Sequence, residues 1–311
     1  MEVVRISPRG YCHGVVEAIR AARRVGAEPG GEPVAMLGYL VHNEHVTREL
    51  AASGVRLVDA PTRLEGLAAI DRGTVIFTAH GVSPQVRAQA AARGLRTVDA
   101  TCSDVVRTHD LVDRLLADGY TVIYLGKVGH PEPEGVVGHD PGRVLLVETL
   151  ADVERLVVDA DKLAVTTQTT LSVWDTNALI ARLRERFPRL EVHNEICSAT
   201  QDRQEAAVAA ARECDVVVVV GSSRSSNSLR LVQVVEELAG TPAHLVDTVD
   251  ELRPEWFAGC RRVGVTAGAS TPSPLTRAVI QALEGLEPPP AAAGRPVALR
   301  AGRGPSAPGT G

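Results

Sequence analysis

The chain has 311 residues, 44% hydrophobic and 23% charged, the proportions of a globular protein long enough to divide its cores among two or three units. Aromatic residues make up only 3% and the formal net charge is −5, which argues against a surface built to stack bases or to follow a polyanion. The longest aliphatic run, Val216–Val220, is far too short to span a bilayer, and five cysteines without paired spacing fit a reducing cytoplasm and not a disulfide framework.

Val3, Val4 and Ile6 open the chain as a strand-like run, broken by Arg5 and Pro8, with no secretory signal. A turn at Arg9-Gly10-Tyr11 presents Cys12, and Val16, Ile19 and Ala22 follow at helical spacing. An apolar strand over Pro33–Leu40 ends in Val41-His42-Asn43. A short strand at Val55–Val58 follows, and a further one ends in Phe77-Thr78-Ala79-His80-Gly81. Asp99-Ala100-Thr101 then leads to Cys102, and the order starts again. The helix carries Leu111, Val112, Leu115 and Leu116; the strand over Tyr120–Leu125 precedes Gly129-His130-Pro131-Glu132. A short strand at Val144–Val147 and one ending in Thr167-Gln168-Thr169-Thr170 complete this block. Glu195-Ile196-Cys197 opens the third, with an Ala- and Glu-rich helix over Gln201–Arg212 and a strand over Asp215–Val220. The polar run Ser225-Ser226-Asn227-Ser228 precedes a helix with Leu231, Val234, Val235 and Leu238 on one face. Strands at His244–Val246 and up to Thr266-Ala267-Gly268-Ala269-Ser270 end the pattern, and from Pro288 the composition is that of a low-complexity tail.

Strands alternating with helices imply parallel sheets, and the repetition predicts three pseudo-symmetric small α/β domains. The divisions expected are 1–100, which includes the N-terminal strand and Cys12, then 101–195 and 196–286, with a flexible tail over 287–311. Cys12, Cys102 and Cys197 are 90 and 95 residues apart and hold equivalent places in the repeat. Three thiolates on one axis are one short of closing a tetrahedral zinc site, or of giving each iron of a four-iron cluster its own sulfur. Either way a coordination position stays open. Cys214 and Cys260 read as small buried apolar residues.

In parallel sheets ligands gather beyond the carboxyl ends of the strands, which is where this chain concentrates its polar residues. His42, His80 and His130 stand at such ends and, with hydroxyls and Asn227, suit a phosphate group. His13, His45, His109, His139, His193 and His244 read as ordinary surface or core histidines. Ser225, Ser226 and Asn227 fit a helix N-cap, whose exposed N–H groups also suit an anion. Thr169, Thr170 and Ser270 are neutral hydroxyls fit to orient a bound polar group. Glu132, two positions after His130, is the better proton donor of the pair Glu132 and Glu134, its acidity tuned by burial. No phosphate-cradling Gly-x-x-x-x-Gly-Lys-Ser/Thr loop and no Gly-x-Gly-x-x-Gly fingerprint is present.

In this order, Pro8-Arg9-Gly10-Tyr11-Cys12, Val41-His42-Asn43, Ala79-His80-Gly81-Val82-Ser83, Asp99-Ala100-Thr101-Cys102, Gly129-His130-Pro131-Glu132, Thr167-Gln168-Thr169-Thr170-Leu171-Ser172, Ile196-Cys197, Arg203-Gln204-Glu205-Ala206, Ser225-Ser226-Asn227-Ser228 and Val265-Thr266-Ala267-Gly268-Ala269-Ser270 resemble the 4-hydroxy-3-methylbut-2-enyl diphosphate reductases, the LytB/IspH family. The resemblance implies a trefoil of three α/β domains around a four-iron four-sulfur (4Fe–4S) cluster held by Cys12, Cys102 and Cys197. It implies an allylic diphosphate substrate among His42, His80, His130, Ser225, Asn227 and Ser270, with Ser226 and Thr170 nearby. Thr169 would orient the hydroxyl and Glu132 would start proton delivery, with His130 beside them. A ferredoxin or flavodoxin is implied as electron donor, and neither nucleic acid nor membrane as partner. Ser103-Asp104 departs from the proline and apolar residue usual in the family after this cysteine, which bears on how the helix begins there. Readings of other classes are a specialised paralogue, an iron–sulfur sensor or electron relay, which leaves His42, His80, Asn227 and Ser270 without a task, and a zinc-bearing structural protein.

Overall fold

The structure, a computed structural model, describes residues 1–28 and 31–287; the expected tail lies, past Glu287, outside the described residues. After β1 (Glu2–Arg5) come α1 (His13–Gly26), β2 (Val34–Leu37), α2 (Glu44–Ala52), β3 (Val55–Val58), α3 (Arg63–Ala68), β4 (Thr74–Phe77), α4 (Pro84–Ala92) and β5 (Arg96–Asp99). The second block holds α5 (Ser103–Ala117), β6 (Thr121–Leu125), α6 (Pro131–Val137), β7 (Val144–Val147), α7 (Leu150–Arg155), β8 (Leu163–Thr167), α8 (Val173–Arg186) and β9 (Glu191–Val192). The third holds α9 (Ser198–Ala211), β10 (Val216–Val220), α10 (Ser226–Val234), β11 (Ala243–Val246), β12 (Arg262–Ala267) and α11 (Ser273–Glu284).

These strands form three four-stranded sheets with orders β3-β2-β4-β5, β7-β6-β8-β9 and β11-β10-β12-β1, and neighbours run parallel throughout. Helices cover both faces, so the central strands β2 and β10 are apolar along their whole length. In β10, Val216, Val218 and Val220 pack toward Val279, Ile280 and Leu283 of α11, while Val217 and Val219 pack toward Ala207, Ala211 and Leu231. Burial of each such valine contributes about 1.5–3 kcal/mol. Among the described residues no helix is long and apolar enough to cross a membrane.

The N-terminal strand departs from the expected division at residue 100. β1 pairs with β12, Glu2 opposite Arg262, and so completes the third sheet and not the first. The cause is topological. β5 and β9 are edge strands that deliver the chain to Cys102 and Cys197; β1 does the same for Cys12, and the sheet it borders is the last one made. The ring of three units closes through it. Helix α9 begins three residues before the expected Gln201, because Cys197 itself is its N-cap. α5 likewise starts at Ser103 straight after Cys102, so the Ser103-Asp104 departure leaves the start of the helix intact.

Candidate active site

Each of the three cysteines is the N-cap of a helix, Cys12 of α1, Cys102 of α5 and Cys197 of α9, and none uses its sulfur as a cap. Each sulfur stands at a helix N-terminus, the positive end of that helix's dipole. The backbone repeats the arrangement: Cys12 N donates to Ala269 O, Cys102 N to Ala79 O and Cys197 N to Thr169 O, each at 3.1 Å. Those acceptors follow β12, β4 and β8, the third sheet position in every unit. All three cysteines line one cavity. Gly14 is required there, since a Cβ at that position would stand 2.3 Å from Cys102 Sγ.

Burial, with the charges of Asp104 and Cys12 adding to it, pushes the Cys102 thiol up to about 11. Burial also raises the Cys197 thiol, against a contact of 3.2 Å between its sulfur and Thr200 Oγ1. Thiols in such surroundings are poor free nucleophiles and ionise when a metal displaces the proton. Three free, partly buried cysteines facing one cavity fit a metal–sulfur centre, and Cys214 and Cys260 lie outside that cavity.

The same cavity is also lined by His42, His80 and His130. Ring centroids are 4.2 Å apart for His42 and His80, 5.1 Å for His42 and His130, and 5.4 Å for His80 and His130. Asn43 caps α2, its side chain accepting from His45 N and Val46 N, which fixes the strand-end turn that carries His42. His130 caps α6: its Nδ1 accepts from Glu132 N at 3.2 Å. The proton of a neutral His130 is therefore on Nε2, which stands 3.3 Å from His42 Nε2 and donates to it. Burial, helped by the charge of Arg63, pushes His42 down to about 4 and both His80 and His130 well below the usual imidazole range. Lowered in this way the three imidazoles are neutral near pH 7, and neutral N–H groups suit an anion.

Ser225, Ser226, Asn227 and Ser270 border the histidines. Ser225 caps α10 by accepting from Ser228 N, and Ser270 Oγ donates to His42 O at 3.3 Å. Asn227 is 4% exposed, yet among the described residues neither atom of its amide has a partner. An orphaned buried amide in a cavity wall is costly without a ligand and useful with one.

Glu132 lines the cavity too. It is 1% exposed, and its Oε1 and Oε2 accept from Thr169 N at 2.8 Å and Thr169 Oγ1 at 3.0 Å. Tyr124 OH donates to Oε1 at 3.3 Å. Burial outweighs these donors and pushes the carboxyl up to about 7, so near neutrality it carries a proton about half the time. Thr170 lines the cavity beside Thr169 and accepts from Gln168 Nε2.

Every residue the sequence singles out for the site thus faces one cavity. Sequence reasoning passed over Tyr124, which sits in an apolar strand, and Arg63, whose buried guanidinium lies over Gly38 where a side chain would collide with it. His13, read as ordinary, stands 3.3 Å from Ser103 Oγ and 3.5 Å from Asp104 Oδ2 beside Cys102. His109 and His139 pair with each other at 2.6 Å, outside the cavity.

The family model described as LytB protein matches residues 3–284. The chain belongs to the LytB family. A protein of Symbiobacterium thermophilum is 57% identical over 286 residues, 91% of this chain and 97% of its own length, and one of Geobacillus kaustophilus is 53% identical over 289 residues, 93% and 92%. Both are named 4-hydroxy-3-methylbut-2-enyl diphosphate reductase. The solved E-1-hydroxy-2-methyl-but-2-enyl-4-diphosphate reductase of Plasmodium falciparum superposes with a TM-score of 0.85 at 32% identity, over 90% of this chain and 87% of that one. The three-unit α/β architecture expected from the repeat is the architecture of this LytB chain.

Proposed function

We propose that this chain is a 4-hydroxy-3-methylbut-2-enyl diphosphate reductase, an oxidoreductase of the last step of the non-mevalonate isoprenoid pathway. It removes the allylic hydroxyl reductively, giving isopentenyl and dimethylallyl diphosphates. The observation that carries the reading is Glu132, a fully buried acid near neutrality between three thiols and a wall of neutral N–H and O–H donors. Membership of the LytB family and the names of its relatives support the same reaction.

Cys12, Cys102 and Cys197 would hold a 4Fe–4S cluster, which when bound supplies single electrons and one iron without a protein sulfur. The diphosphate sits against His42, His80, His130, Ser225, Asn227 and Ser270, with Ser226 and Thr170 at the margin. Its phosphate oxygens accept the hydrogen bond that His130 Nε2–H otherwise donates to His42, and they satisfy the Asn227 amide. Binding energy gathered at this remote end is used to orient the small apolar end toward the thiols. Thr169 Oγ1, hydrogen-bonded to Glu132, turns to the substrate hydroxyl, and the Glu132 proton follows so that the hydroxyl leaves as water. Overall one C–O bond breaks, one C–H bond forms, and two electrons and two protons are consumed. The electrons come from a small one-electron carrier of the ferredoxin or flavodoxin kind.

The test is anaerobic turnover of the full chain, reconstituted with iron and sulfide, using a chemically reduced dye and the hydroxylated diphosphate. The two five-carbon diphosphates are the expected products. A chain that takes up iron and sulfide and accepts electrons, yet leaves the substrate unchanged, is a relay and overturns the reading.

A further inference from the structure

Arg203 of α9 is a buried cation with no acid to match it. It is 4% exposed, and among the described residues no carboxylate lies within ion-pair distance of it. Its Nη2 donates to Gly10 O at 2.7 Å and its Nη1 to Ala199 O at 2.6 Å, while Nε is buried without a partner. The acceptors are neutral carbonyls, and each lies two residues from a cysteine, Gly10 before Cys12 and Ala199 after Cys197. Gly10 has a φ of 76°, a left-handed turn that aims its carbonyl inward.

A guanidinium stays charged when buried, and a buried charge without a counter-charge is strongly penalised. The exposed arginines of this chain show the usual solution: Arg182 pairs with Glu154 and Glu185, Arg262 with Glu2 and Glu213. Once ionised, the sulfurs of Cys12 and Cys197 are the negative groups that bear most on Arg203. We infer that Arg203 is the counter-charge of the thiolate set, hydrogen-bonded to the backbone two residues from two of its three cysteines, and that it thereby sets the redox poise of the centre those cysteines hold. This inference rests on the reading of Cys12, Cys102 and Cys197 as ligands.

The physical consequence has a sign. Reduction adds negative charge to the centre, and a fixed cation in a low-dielectric wall stabilises the reduced form more than the oxidised one. Loss of the cation makes reduction harder. Arg203 is a positioning and tuning residue: its side chain reaches the sulfur-bearing backbone and does not line the cavity.

The experiment compares the reconstituted full-chain parent with Arg203→Lys, Arg203→Gln and, as a control, Arg212→Gln, which removes an exposed charge at the far end of the same helix. Iron and sulfide content is measured first, then the midpoint potential by an electron-paramagnetic-resonance titration under argon. The expected order is Arg203→Gln most negative, Arg203→Lys close to the parent and Arg212→Gln unchanged. An Arg203→Gln variant with full iron and sulfide and the parent's potential overturns the inference. So does loss of the cluster from Arg203→Lys and Arg203→Gln alike, which would make the two carbonyl bonds, and not the charge, the essential feature. A parent chain that takes up no iron and sulfide fails earlier, and that failure belongs to the ligand assignment.

Discussion

The thiols and the histidine-bearing wall line one cavity but are built on opposite plans. The thiol set is repetitive: three helix N-caps, three cysteines and three equal backbone hydrogen bonds, one set per unit. The wall is made at equivalent strand ends whose side chains have diverged. Where the first unit has His42-Asn43-Glu44 after its central strand, the second has His130-Pro131-Glu132, and the third has Ser225-Ser226-Asn227. Among the described residues the acids that line the cavity, Glu132 and Asp104, both come from the second unit, which also supplies Tyr124 and Thr169, the partners of Glu132. A near-threefold frame suits a centre of high symmetry, while protonation of one hydroxyl needs a single acid on one side. On the proposed reading the repeated residues would hold the centre, and the unrepeated ones would give the reaction its direction.

This contrast breaks most severely at the cysteines. Replacing Cys12, Cys102 or Cys197 by Ser should abolish turnover and the visible absorbance of a bound iron–sulfur cluster together, whichever unit is hit, whereas Cys214→Ser and Cys260→Ser keep both. Iron and sulfide analysis with an absorbance spectrum checks it; unequal losses among the three would refute an equivalent role. Next in size is Glu132→Gln. Its kcat should fall by about 10²- to 10⁴-fold with KM nearly unchanged. The parent's kcat should decline as pH rises through about 7, because the proton-bearing form of Glu132 is then lost. Stability has the same sign. A carboxyl raised from its ordinary 4.5 favours the folded state below 4.5, and that contribution disappears as pH rises through about 7. Glu132→Gln should flatten both profiles.

The repetitive half of the molecule was the more legible in sequence. Cysteine spacing and strand-end motifs recur at near-constant intervals, and fully covered parallel strands are written as unbroken aliphatic runs. The pairing of β1 with the third sheet was not legible, since a four-residue strand carries no local mark of its distant partner. β5 and β9 also escaped notice: Arg96-Thr97-Val98-Asp99 is partly exposed at a sheet edge, and Glu191-Val192 is two residues long. Within the site, Tyr124 reads as one more large residue in an apolar strand, and a buried arginine such as Arg63 cannot be told from a solvated one. Its burial depends on Gly38 of another element leaving room.

At the anion wall the expected effects are smaller and divided among several donors. Asn227→Ala should raise KM for the diphosphate by roughly 10- to 100-fold, the loss of about 1.5–3 kcal/mol for a hydrogen bond to a charged group. The substrate-free protein should melt no lower than the parent, because the amide that is removed had no partner. His42→Ala should also weaken pyrophosphate binding while leaving iron and sulfide content unchanged, as measured by calorimetry on the reconstituted chain. A variant that loses affinity and cluster in parallel would show the thiols and the histidine-bearing wall to be one structural unit.

The smallest change tests whether the asymmetry extends past Glu132 itself. Tyr124 OH is 3.3 Å from Glu132 Oε1, a longer contact than either from Thr169, and its hydrogen bond favours the ionised carboxylate. Tyr124→Phe keeps the buried ring and removes only that donor, so the carboxyl holds its proton more tightly. The alkaline limb of kcat should move to higher pH, and kcat at neutrality should change only a few-fold, since a better-populated acid is also a weaker one. Thr169→Val, by contrast, removes the hydroxyl between the acid and the substrate and should lower kcat at every pH. If the two variants shift the limb equally, Tyr124 and Thr169 act only as donors to one carboxyl, and the proton has another way out of the wall. If Tyr124→Phe leaves the limb where it was, the tyrosine hydroxyl is a packing accident of an apolar strand, and the directional chemistry contracts to the single pair Glu132 and Thr169.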